Sequence, residues 1–142
     1  MNKESLETIE KEVSVFVRRI VISEKRNSRL ERSAYILLRQ LSTHGPAGVK
    51  TLAEQLHLDI STISRQAAAL ENKQYVDKVP NPHDGRAYFY RITELGNREL
   101  YEAKQRRYDR LANLLKDWSE EERESFGRLL EKYNRTVSEE KL

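Results

Sequence analysis

The chain has 142 residues, 37% of them hydrophobic and 35% charged, with a formal net charge of +3. It contains no cysteine, which excludes disulfides, thiolate zinc sites and cysteine redox sensing and is compatible with a reducing cytoplasm. No apolar run approaches the roughly 20 residues that span a bilayer and the N-terminus lacks a signal-peptide pattern, so a soluble cytoplasmic protein with no membrane partner is expected.

The length fits one domain, or one domain with long dimerising helices that enlarge a modest core against a second copy. Residues 5–24 carry Leu6, Ile9, Val13, Phe16, Val17, Ile20 and Val21 at helical spacing, which gives a first helix with one apolar face. Ser23 to Leu30 is charged and reads as looser chain. A second helix is expected from Arg32 to Thr43, with Tyr35, Leu37, Leu38 and Leu41 inward, and His44-Gly45-Pro46 stops it. A third covers Val49 to His57. Asp59 then stands as N-cap of a fourth helix running to Lys73, its carboxylate expected to accept the amide of Ser61 or Thr62. Ile63, Ala67 and Leu70 form that helix's buried stripe.

Two strands follow, Tyr75 to Val79 and Ala87 to Ile92, around the turn formers Pro80 to Gly85. Alternation puts Tyr88, Tyr90 and Ile92 on one face. Thr93 is placed to cap a long fifth helix, Glu94 to Lys116, closed by Trp118. Ser119-Glu120-Glu121-Glu122 is a capping box for a sixth, with Phe126, Leu129, Leu130, Tyr133 and Val137 as its apolar positions. Mainly α with a small two-stranded β-wing is the expected fold class.

Helix, tight turn, helix and a hairpin with a charged tip is the layout of a winged helix-turn-helix, which lays one helix in the major groove of DNA and reaches the minor groove or backbone with the hairpin. The fourth helix suits that role. Ser61, Thr62 and Ser64 are short enough to let its backbone approach DNA, and their hydroxyls reach phosphates or base edges. Arg65 is long enough for a guanine edge or a phosphate. Ile60 and Ala68 share the outer faces. At the hairpin tip, His83, Asp84 and Arg86 are the candidate contacts, with Arg86 suited to a narrow minor groove. The first turns of the second and third helices, near Arg32, Ser33 and Lys50, offer amides and positive charge to the DNA backbone. Each taken alone has a plainer reading, as a polar helix start or a surface ion pair worth less than about 1 kcal/mol. Their spacing along one chain favours DNA.

Charge runs are less specific. Lys25, Arg26, Arg29, Arg32 and Arg39 form one basic group and Lys104, Arg106, Arg107 and Arg110 another, while Glu120, Glu121, Glu122, Glu124, Glu139 and Glu140 are acidic; each run by itself reads as a solvated helix face. An enzyme needs a nucleophile–base pair, a metal constellation or a phosphate-cradling glycine loop. His44, His57 and His83 fall in turns without ligand spacing, and the five glycines form no such loop. No catalysis, metal or cofactor is expected. The alternative is a winged helix that binds protein or RNA, which should show large apolar residues on its exposed helix.

The motifs Leu52-Ala53-x-x-Leu56, Ser61-Thr62-Ile63-Ser64-Arg65, Leu70-Glu71 and Asp84-x-Arg86 leading to Ile92-Thr93-x-x-Gly96 resemble the MarR family of bacterial transcriptional regulators. The resemblance spans nearly the whole chain. It implies a homodimer on a pseudo-palindromic operator, a repressor released by a small aromatic or anionic effector, the fourth helix as recognition helix and Arg86 as the wing arginine. Residues 1–30 and 94–142 are then dimerisation segments, carrying Leu6, Val13, Phe16, Leu111, Leu115, Trp118, Phe126 and Leu130, around a DNA-binding region over 31–93, effectively one domain. The chain departs from the family pattern at His57 and Gln74, where glycine is common; a non-glycine residue in a left-handed cap costs roughly 1 kcal/mol. The absent cysteine removes the family's peroxide-sensing branch.

Overall fold

The structure, a computed structural model, describes residues 1–27 and 30–140, with the side chains of residues 24–27 left aside. Its elements run α1 (Lys3–Asn27), α2 (Arg32–His44), α3 (Val49–Leu56), α4 (Ile60–Asn72), β1 (Val76–Asn81), β2 (Asp84–Ile92), α5 (Glu94–Leu114) and α6 (Glu120–Glu139). The chain divides into two compact units, Met1–Ala103 and Lys104–Leu142.

The expected order of six helices and a hairpin is found, with shifted ends. α1 continues past the expected end at residue 24 to Asn27; Glu24-Lys25-Arg26 are good helix formers, and no glycine or proline interrupts them. Of the rest of the stretch expected to be loose, Ser28 and Arg29 lie outside the described residues, as do the side chains of Lys25 and Arg26, while Leu30 is buried in the core rather than loose. Both strands extend further toward the tip than expected, and α5 stops at Leu114 rather than Lys116. The Trp118 amide donates to the Leu115 carbonyl in the turn that follows.

The core of the first unit is built from α2, α3, α4, the hairpin and the start of α5. Leu37, Leu38, Leu41, Leu52, Ile63, Leu70 and Val76 are fully buried in it, with Tyr90, Leu100 and Ala103 beside them. Ala53 and Ala67 are also buried, and small residues there let α3 and α4 pack closely.

Both helix ends in this region use left-handed caps. His57 closes α3 at φ 54° and ψ 43°, and the Leu58 amide donates to the Ala53 carbonyl. Gln74 follows α4 at φ 65°. There the amides of Gln74 and Tyr75 donate to the carbonyls of Glu71 and Leu70, the paired bonds of a Schellman motif. These are the two positions where the resemblance leads one to expect glycine, and the backbone keeps the left-handed turn at both.

β1 and β2 pair antiparallel, with Val76 opposite Ile92, Lys78 opposite Tyr90 and Asn81 opposite Asp84, and an irregularity between Pro80 and Asn81. Pro82 and His83 form the tip. A feature absent from the sequence reading is a third, one-residue contribution to this sheet. Ala47, in the α2–α3 loop, exchanges both backbone hydrogen bonds with Tyr90, tying the helix-turn-helix to the hairpin.

In the second unit, Ser119 caps α6 as expected. Its hydroxyl accepts from the Glu122 amide at 3.1 Å and the Glu122 carboxylate accepts from the Ser119 amide at 2.9 Å. Arg123 donates to the carbonyls of Leu115 and Trp118 and pairs with Glu120, so one guanidinium satisfies the open end of the preceding turn. The rings of Trp118 and Phe126 meet at a tilt, with centroids 5.4 Å apart.

Candidate nucleic-acid interface

α4 turns one face inward and one outward. Ile63, Gln66, Ala67 and Leu70 are buried, and the 3.6-residue period then leaves Ile60, Ser61, Ser64, Arg65 and Ala68 exposed, with Thr62 half-buried. The outward face is thus formed by five of the six α4 residues singled out from the sequence. The local cap differs from expectation. Asp59 occupies the N-cap position in an extended conformation, but its carboxylate accepts no capping hydrogen bond. The Asp59 carbonyl makes the first helical bond, from the Ile63 amide at 3.0 Å.

Gln66 carries a signal that the sequence reading missed. It is the single buried polar residue of the described core, 6% exposed. Its amide nitrogen donates to Glu31 Oε2 at 2.9 Å, which satisfies a group that would otherwise be costly to bury. Its spacing, three after Ile63 and four before Leu70, places it on the buried stripe. A pocket of about 200 Å³ opens beside the pair, lined by Leu30, Glu31, Ala34, Gln66, Ala69, Leu70 and Lys73.

The wing tip is organised by two short side chains. Asn81 Oδ1 accepts from the His83 amide at 2.9 Å, and Asp84 Oδ1 accepts from the Arg86 amide at 3.0 Å. Asp84 therefore fixes the backbone of Arg86 rather than its guanidinium. His83, Asp84 and Arg86 are all exposed. Below the tip, Arg91 donates to both oxygens of Asp77 across the strands, at 3.1 and 3.0 Å, and this hydrogen bonding and the charge of Asp77 raise the Arg91 pKa above its ordinary value. Lys78 lies 4.5 Å from the ring centre of Tyr88 and 3.7 Å from Glu71 of α4. Tyr88 meets Tyr90 edge to face at 5.5 Å. Burial, with the Tyr88 hydroxyl and nearby charge adding to it, pushes the Tyr90 phenol up to about 12.

Arg32 and Lys50 are exposed in the first turns of α2 and α3, and Ser33 is half-buried. Of the apolar residues expected at a dimer interface, Leu6, Val13, Phe16, Leu111, Trp118 and Leu130 are exposed in the single chain, while Leu115 and Phe126 are half-buried. Neither α1 nor α6 buries any described residue. Among the described residues no group of three or more histidines and carboxylates is gathered to hold a metal, and no helix is long and apolar enough to cross a membrane.

Residues 30–88 match the MarR family model. The chain is 50% identical over 137 residues to the uncharacterised HTH-type transcriptional regulator YxaD of Bacillus subtilis (strain 168), covering 94% of this chain and 96% of that one. The chain belongs to the MarR family. As a MarR-family member it is a DNA-binding transcriptional regulator and not an enzyme. Solved structures share the fold. A MarR family protein from Bacillus stearothermophilus superposes with a TM-score of 0.81 at 24% identity, covering 98% of this chain and 99% of that one. Streptococcus pneumoniae FabT, solved in complex with DNA, gives 0.73 at 19% identity and covers 94% and 97%. Six helices and a two-stranded antiparallel wing are the MarR winged-helix fold.

Proposed function

We propose that this MarR-family regulator binds a pseudo-palindromic operator as a homodimer and represses transcription there. The observation that carries the reading is the outer face of α4, where Ser61, Ser64 and Arg65 stand exposed on a helix whose other side is locked into the core. In this reading α4 enters the major groove, with hydroxyls for phosphates or base edges and Arg65 for a guanine or a phosphate. Arg86 reaches the minor groove or backbone from the wing, and Arg32, Ser33 and Lys50 hold flanking phosphates. His83 and Asp84 shape the tip.

A second copy is supported by the apolar residues that α1, α5 and α6 leave exposed. Exposed apolar helix faces of this kind on a regulator of palindromic sites suit an isologous dimer. Repression, and release by a small aromatic or anionic effector, are carried by the family resemblance. Protein or RNA binding through α4 is not favoured, because Ile60 is the one large apolar side chain on its outer face.

Titration of duplex DNA at rising salt tests the reading. Affinity should fall steeply and linearly in log–log form as condensed counterions are released. Arg65→Ala should cost about 1–3 kcal/mol on the preferred duplex and far less on random duplex if the arginine reads a base. Binding indifferent to salt would point to a protein partner instead.

A further inference from the structure

Ile60 is the first residue of α4 and is 54% exposed. The rest of the outward face is small, polar or basic: Ser61, Ser64, Arg65, Ala68 and Ala69. Nothing in the fold accounts for isoleucine at this position. It lies outside the core, a β-branched side chain is a mediocre helix former, and the helix dipole favours an acid in the first turn. A lone exposed apolar residue is ordinary on a protein surface, but this one stands at the N-terminal end of the helix that reads DNA, where recognition helices touch base edges. The major-groove edges offer hydrogen-bonding groups and one apolar feature, the 5-methyl group of thymine.

We propose that Ile60 is a specificity-determining residue that reads a thymine methyl in each half-site. The inference rests on the assignment of α4 to the major groove made above. Ile60 and Ser64 lie four residues apart on one helical ridge, and Arg65 follows on the next. At 1.5 Å per residue, Arg65 is roughly 7.5 Å further along the axis, about two base-pair steps of 3.4 Å. The thymine therefore falls within about two steps of the base or phosphate that Arg65 meets, on the side of the α4 N-terminus.

The test begins with the full-length protein and a pool of random duplexes, from which a bound consensus is selected. Each consensus thymine is then replaced singly by deoxyuridine, which keeps the pairing edge and removes only the methyl group. One thymine position per half-site should lose about four-fold in affinity on replacement, the worth of one buried methyl group. Ile60→Ser should lose a similar factor on the thymine duplex and nothing more on the deoxyuridine duplex, while Ile60→Val retains most of the preference.

The inference is overturned if wild-type protein tolerates deoxyuridine at every position, a result that needs no variant. It is equally overturned if Ile60→Ser stays as sensitive to the missing methyl as wild type. If no duplex is enriched at all, the operator-binding reading falls and takes this one with it. An enriched consensus without methyl sensitivity sinks only the role of Ile60.

Discussion

Gly96 is packed against the carbonyl oxygen of Tyr75. A Cβ built on Gly96 would overlap that oxygen and approach Ile92 Cγ1 to 2.8 Å. The two residues belong to the first turn of α5 and to the link between α4 and β1, and Thr93 joins the same junction. Its hydroxyl donates to the Gln74 carbonyl at 2.7 Å and accepts from the Gly96 amide at 3.0 Å, while its own amide donates to the Tyr75 carbonyl. The Thr93-x-x-Gly96 motif is therefore a clasp between the exit of α4 and the start of α5. Since the obstruction is backbone rather than a flexible side chain, Gly96→Ala should destabilise by about 1–3 kcal/mol, the range for overpacking. Urea unfolding monitored by circular dichroism reads the change directly, and a loss under about 0.5 kcal/mol would mean the junction opens without cost.

The left-handed caps invite the opposite substitution. His57 and Gln74 hold φ values of 54° and 65°, where a Cβ is strained and glycine is not. Both residues are exposed, so little packing is lost on truncation. His57→Gly and Gln74→Gly should each raise stability by up to about 1 kcal/mol, less the extra entropy glycine gives the unfolded chain. A destabilised His57→Gly in thermal melts would show that the imidazole holds the turn by a contact of its own.

Tyr90 gives the fold an alkaline limit. Its phenol is pushed up to about 12 from an ordinary 10.0, chiefly by burial. The folded state thus holds the proton more tightly than the unfolded chain. The associated stability is complete below about pH 10 and is lost as pH rises through 12. Against Tyr90→Phe, which has no proton to lose, wild-type protein should shed on the order of 2 kcal/mol between those pH values. Parallel denaturant curves for the two proteins at pH 9 and 11.5 make the comparison; parallel slopes against pH would mean that the ionised phenol finds solvent by a local opening.

Much of the fold was legible because its signals were local. Gly45-Pro46 after α2, the Ser119 capping box and the Ile63, Ala67, Leu70 stripe each fix an element through backbone preference or helical period, with no distant partner needed. The features that escaped depend on tertiary neighbours. Ala47 pairs with Tyr90 across 43 residues of chain, and nothing around Ala47 marks it as strand. Gln66 is polar yet buried because Glu31 meets it, and a helical wheel shows the position but not the partner. Asp59 was expected to cap with its carboxylate and does not. An exposed helix start can satisfy its amides with water instead, so the residue type alone did not decide the bond. The outward face of α4 was readable, since exposure there is simply the complement of the buried stripe.

The wing arginine separates two roles of one motif. Asp84 accepts from the Arg86 amide, so the carboxylate shapes the tip and leaves the guanidinium side chain exposed. Arg86→Ala should weaken binding on every duplex and reduce the salt slope by about one. Its thermal midpoint should stay within about 2 °C of wild type, because exposed side chains contribute little to stability. Asp84→Asn, which retains an acceptor oxygen, should bind nearly as wild type, whereas Asp84→Ala should lose part of what Arg86→Ala loses. A collapse of the midpoint in Arg86→Ala would assign the residue to the fold instead.

The exposed apolar residues set the last expectation. Phe16 of α1 and Leu130 of α6 are both exposed in the single chain, at 51% and 40%, and no residue of α6 is fully buried. Helices with such faces gain little from folding alone, since most helical stability comes from burying an amphipathic side. If a second copy covers them, Phe16→Glu and Leu130→Glu each place a charge where water is excluded. Each should weaken association by at least about 2 kcal/mol, roughly thirty-fold, as hot-spot changes do. Sedimentation equilibrium should then show wild-type dimer and variant monomer at the same concentration. The core of the first unit, which uses neither residue, should keep its near-ultraviolet signature. Binding to a two-half-site duplex should fall further than binding to a single half-site, because the linked second contact is lost. A Phe16→Glu protein that stays dimeric with unchanged operator affinity would place the covering surface elsewhere on the chain.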